Sequence, residues 1–148
     1  MLKSILMGLV GGQRALTPLA VVAVAALRDE LRRDNGAPRL LGHPAVAAGA
    51  VALAVGEMAG DKLQSAPDRV MPAGLVARFA TSAIAGAALA PRNQRWPAAA
   101  AAGTTAIIAS YFGWRARMKA MERHSQSSTG FIEDAAVLAS AAAVARSA

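Results

Sequence analysis

The 148 residues contain no cysteine, which excludes disulfides, thiolate metal sites and cysteine nucleophiles together. Histidine occurs only at His43 and His124, with no metal-ligand spacing between them. Aromatic residues are 4% of the chain, and the basic residues form no stripe with aromatics interleaved, so nucleic-acid binding is not expected. No stretch reads as a phosphate-cradling loop or a nucleophile elbow. The chain is therefore expected to be no enzyme and to use no cofactor or metal. Charge is also scarce, at 17% of residues where about a quarter is usual.

What is abundant is apolar. Hydrophobic residues reach 55%, most of them alanine, whose transfer is nearly neutral and so argues more weakly for lipid than leucine would. The formal charge of +7 falls mostly between apolar runs, as beside anionic headgroups. Lys119, Arg123 and His124 lie in one such connector. The N-terminal MLKSILMGLV has too short an apolar core before Gly11-Gly12-Gln13-Arg14 for a cleaved signal, and it reads as retained.

Five apolar runs can be marked: Ser4–Leu27, Pro44–Gly60, Met71–Ala90, Trp96–Trp114 and Phe131–Val144. At about 1.5 Å per residue most approach the roughly 30 Å of a hydrocarbon layer, the second and fifth marginally. Trp96 and Trp114 are 18 residues apart. A helix would separate them by about 27 Å, close to the spacing of two interfacial aromatic belts. Gly8-x-x-x-Gly12 and Gly56-x-x-x-Gly60 would let helices approach closely. GLVGGQRALT and GLVARFAT each place an arginine three residues before a threonine, Arg14 with Thr17 and Arg78 with Thr81. That echo suggests a two-helix internal repeat with a fifth helix appended.

These features predict an all-α fold: a polytopic transmembrane helix bundle forming one domain over residues 1–148, multi-pass in a bacterial inner membrane. Basic residues outside the runs divide seven to seven between the two sides, so the positive-inside rule selects no orientation. One explanation is that the Gly-Gly/Pro-interrupted first run dips in and returns. A water-exposed alanine-rich helical bundle is the remaining alternative.

Six ionisable residues lie in the runs or at their ends: Arg14, Glu57, Asp61, Arg78, Glu133 and Asp134. A lone charge at mid-bilayer costs about 2.5–3.5 kcal/mol, so such groups face inward and pair. Glu57 and Asp61 are four residues apart and share a helix face. Pro18 frees a backbone carbonyl one turn back, near Arg14. Arg14, Thr17, Pro18, Glu57, Asp61, Lys62, Arg78, Glu133 and Asp134 are thus the candidate site residues. In one reading they line a path for a small polar or anionic solute. In the other, they only fix helix packing in an accessory protein that acts through a partner. The bilayer, a second copy of the chain and the solute are the expected partners.

GGQRALTPLAVVA, GEMAGDKL, MPAGLVARFATSAIAGAAL and STGFIEDAAVLASA together resemble the bacterial membrane family called domain of unknown function 4126. The similarity covers nearly the whole chain. It implies an integral membrane protein, singles out Arg14, Pro18, Glu57, Asp61, Lys62, Glu133 and Asp134, and brings no activity.

Overall fold

A computed structural model describes residues 1–60, 71–121 and 126–146, with the side chains of 117, 120, 121 and 126–131 left aside. The regular structure of the described residues is helical: α1 (Leu2–Gln13), α2 (Thr17–Leu27), α3 (Pro44–Gly60), α4 (Pro72–Ala88), α5 (Arg95–Met121) and α6 (Gln126–Arg146). Short 3₁₀ helices at Arg39–Gly42 and Arg92–Gln94 lie in two of the connections.

The first apolar run is two helices. At Arg14 the backbone turns extended, with φ −136° and ψ 116°. Pro18 then falls in the first turn of α2, where its missing N–H costs nothing and its fixed φ suits a helix start. The break moves the chain from one packing group to another. α1 lies against α4 and α5, whereas α2 lies against α3 and α6. Further contacts of α1 with α6 and of α2 with α4 join the two groups.

The expected transmembrane bundle is not what forms, and with it the multi-pass inner-membrane location is not supported. Among the described residues, no helix is long and apolar enough to cross a membrane. The reasons differ by helix. α1 and α2 have 12 and 11 residues, or about 18 and 16 Å of rise. α3 and α4 have 17 each, short of the roughly 20 residues that a span requires. α5 is longer at 27 residues, but alanine, glycine and threonine dilute it, and Arg115 and Lys119 occupy its later turns. α6 carries Glu133 and Asp134 within its 21 residues. Trp96 and Trp114 both lie on α5, so with no span through that helix they mark no pair of aromatic belts.

The internal repeat is corrected as well. α4 continues unbroken through Arg78 and Thr81, whereas the first copy breaks at Arg14. When the Arg-Thr pairs are aligned, Pro18 stands where the second copy has Ser82.

The core is small-grained. Met7, Val10, Val22, Leu41, Leu89 and Val137 are its larger members, and the rest is alanine. Gly8 and Gly12 present their bare faces to α5, where added Cβ atoms would run into the backbone of Ala102 and Ala106. Ser4 donates to the carbonyl of Gly86 at 2.9 Å and ties α1 to α4. The second small-residue pair behaves differently, because among the described residues nothing lies within 4 Å of a Cβ added at Gly56 or Gly60.

The connector after α2 begins with a Schellman cap. Glu30 donates to Ala25 at 2.9 Å and Asp29 to Ala26 at 3.3 Å, with Asp29 at φ 55° in the left-handed position that usually takes glycine. Its far part is pinned to the α4–α5 turn, where Gly36 donates to Ala90 at 2.9 Å and Arg92 donates to Asp34 at 2.7 Å. The side-chain hydrogen bond from Arg32 holds the exposed Asp34 carboxyl below its ordinary value. Whatever stability this pair adds is complete above the unfolded carboxylate range and is lost as the pH falls through the lowered folded value. His43 opens α3, its Nδ1 accepting the Ala45 amide at 3.2 Å.

Candidate functional site

The break between α1 and α2 leaves a short non-helical stretch inside the protein, and its polar groups must find partners. Ala15 and Leu16 precede α2, so their amides are among those that a helix start leaves without intrahelical acceptors. Glu57, near the end of α3, supplies both acceptors. Its Oε1 takes the Ala15 amide at 2.7 Å and its Oε2 takes the Leu16 amide at 2.8 Å. A carboxylate in this place also meets the positive end of the α2 dipole.

The same stretch is held from the other side. Thr81 on α4 places its Oγ1 2.6 Å from the Ala15 carbonyl oxygen and 2.8 Å from that of Ala77. Its single hydrogen is shared between them or alternates. Arg14 is 1% exposed and reaches across to α6. Its Nε donates to Oδ1 of Asp134 at 2.8 Å, and a terminal nitrogen of the same guanidinium lies 2.6 Å from that oxygen. Asp134 is itself buried. Residues 120 positions apart therefore close α6 onto the break.

Most of the residues expected to form a site are accordingly close to one another. Arg14, Glu57 and Asp134 meet around Ala15 and Leu16, and Thr17 and Pro18 follow directly at the start of α2. Arg78 is buried on α4, one turn before Thr81. Glu133 is half-buried beside Asp134. Asp61 and Lys62 lie outside the described residues.

Two contributors are absent from the sequence-based set. Thr81 is one, although its spacing from Arg78 in the internal echo singled it out. The other is the backbone of Ala15 and Leu16, for which a sequence carries no signal beyond the Pro18 that follows. Among the described residues, no cluster of histidine, aspartate and glutamate is placed to hold a metal ion.

The arrangement ties helices and the break between them together, each polar contact joining one segment of the chain to another. Neither the groove along α2 nor the depression beside the first connector is lined by Arg14, Glu57, Arg78 or Asp134. Glu57→Gln tests the clamp directly. A carboxamide offers one oxygen for two amides, so one buried N–H loses its acceptor at about 1–3 kcal/mol. We expect the thermal midpoint to fall by several degrees, measured by circular dichroism. An unchanged midpoint would mean that Glu57 holds nothing.

The chain matches no family model, no curated protein and no solved structure. The likeness to domain of unknown function 4126 therefore stands on its quoted motifs alone.

Proposed function

We propose that this chain is a non-catalytic accessory protein that works by being bound, in the first instance by a second copy of itself, and that its embedded charges serve helix packing. The observation that carries this reading is where the polar contacts end. Arg14 on Asp134, Glu57 on the Ala15 and Leu16 amides, and Thr81 on the Ala15 carbonyl each join one segment of the chain to another.

The outer face supports the second half of the proposal. Leu2, Ile5, Leu6 and Leu9 recur at helical spacing along one side of α1, and all are exposed. Ile108, Tyr111 and Phe112 do the same on α5, with Phe112 69% exposed. α1 and α5 pack directly on each other, so both stripes lie on one packed pair of helices. Apolar surface on this scale marks an interaction site. A self-complementary patch is what a two-fold homodimer uses.

The natural lack of cysteine makes the test clean. Leu6→Cys and Phe112→Cys should each give a cross-linked dimer with a short bifunctional thiol reagent, while Arg33→Cys in the first connector should not. Sedimentation of the unmodified chain should show a dimer or larger species that dissociates on dilution. A monomer at every concentration, with no cross-link at either stripe, would overturn the proposal.

A further inference from the structure

A groove of about 250 Å³ runs along α2, with α3 on one side and α6 on the other. Its length follows from the helix that floors it. Thr17 stands at one end and Arg28 at the other, 11 residues apart, or about 16 Å of helix rise. The walls are apolar, including Val21, Val24, Val51, Val55 and Leu138. Val55 is 60% exposed and Leu138 46%, so the apolar lining is open to an occupant.

The two ends differ in chemistry. At the outer end stand Arg28 and Arg146 with one carboxylate, Glu30, which lies 3.9 Å from Arg28. Among the lining side chains, two guanidinium groups stand against one carboxylate at that end. The Schellman cap over Ala25–Glu30 fixes the backbone that carries Arg28 and Glu30. α6 runs the same way, since Asp134 lies near the start of α2 and Arg146 reaches the groove's outer end. At the inner end Thr17 is fully buried, and its hydroxyl has no hydrogen-bond partner among the described residues. A buried hydroxyl without a partner costs free energy that an occupant could return.

We infer that this groove binds a single-chain amphiphile: an anionic headgroup on Arg28 and Arg146, a medium-length alkyl body along α2, and a small polar group at the far end that meets the Thr17 hydroxyl. Each part of the ligand answers one feature of the groove. The paired arginines select one negative charge, and the length and small volume select a medium chain rather than a long or branched one. The Thr17 hydroxyl selects a terminal hydroxyl or carbonyl over a methyl. The inference is independent of self-association, which uses α1 and α5.

Calorimetric titration of the whole chain with octanoate, decanoate, omega-hydroxydecanoate and decyl phosphate tests it. Affinity should rise about fourfold for each added methylene until the groove is filled, and level off beyond that. Omega-hydroxydecanoate should bind about tenfold more tightly than decanoate, and Thr17→Val should abolish that difference while leaving decanoate binding intact. Arg28→Gln and Arg146→Gln should each weaken both acids a few-fold and reduce the salt dependence. Val55→Trp changes a half-open wall position and should block binding without unfolding the chain, as circular dichroism would check. Tighter binding of decyl phosphate than decanoate would assign the headgroup to a phosphate source, and the reverse order to a carboxylate one. Equal affinity across chain lengths, or binding that survives Val55→Trp, would overturn the groove as the site. If sedimentation shows no dimer while these titrations succeed, the self-association reading alone fails.

Discussion

Asp134→Ala should cost about 3–5 kcal/mol, the usual loss when one partner of a buried ion pair is removed and the other stays. Arg14 is 1% exposed and cannot swing to water, so its guanidinium would lose its contact with the Asp134 carboxylate inside a low-dielectric interior. Stabilities of about 5–15 kcal/mol are typical, so this single change removes a large share of the total. The matched double variant Arg14→Met/Asp134→Leu should recover most of the loss, because neither charge of the pair is then left buried without the other. Urea denaturation of the unmodified chain, Arg14→Met, Asp134→Leu and the double variant, followed by circular dichroism, gives the three free-energy differences of a double-mutant cycle. Strict additivity would mean that the two residues do not act as a pair, and a small effect of Asp134→Ala would refute the structural role of the charge. The cycle also bears on function. A solute path needs these charges for reasons besides stability, whereas a packing role lets an apolar pair stand in.

Gly12→Val should be nearly as damaging. A Cβ at Gly12 would lie 2.9 Å from the Ala106 carbonyl oxygen and 2.9 Å from the Ala109 carbonyl carbon, so α1 and α5 would have to separate. Overpacking of this kind costs about 1–3 kcal/mol. The contact here is with backbone, which cannot step aside as a side-chain tip can, and that puts Gly12→Val at the upper end. Gly8→Ala meets the same obstacle at Ala102, with Thr105 Cβ at 2.9 Å. Its cost is offset in part by the roughly 1 kcal/mol that alanine gains over glycine in a helix. Gly56→Ala supplies the control. It lies in α3 with no described atom within 4 Å of the added Cβ, and should stabilise by about 0.5–1 kcal/mol. Thermal melts of the three variants should therefore shift in opposite directions. If Gly8→Ala and Gly56→Ala move the melt alike, the close approach of α1 to α5 is wrong.

Gly8-x-x-x-Gly12 and Gly56-x-x-x-Gly60 look equivalent in one dimension, yet only the first faces a neighbouring helix among the described residues. A spacing places two residues on one face of a helix and says nothing about what comes to that face. Arg14 shows the same division. Its apolar surroundings mark it as a group that must be paired, and Pro18 nearby marks a discontinuity, but the partner 120 residues away has no local signature. The membrane reading failed for a related reason. The first run holds two short helices where a span needs one long one, and a run rich in alanine can be apolar in composition without being apolar enough to cross a membrane.

The sequence by itself determined an all-helical chain without cysteine chemistry, the bounds of the helices α3 and α4 to within a residue or two, and a set of charges too deeply placed to be left alone. Helix periodicity, proline starts and the cost of buried charge are local or compositional effects, and they can be read without a fold. The tertiary structure alone decided which charge meets which and which glycine face is filled. It also decided that the carboxylate of Glu57 holds the start of α2 and that a groove lies open between α2, α3 and α6. Those outcomes depend on segments far apart in the chain arriving at one place, and packing the whole set of helices together is what brings them there.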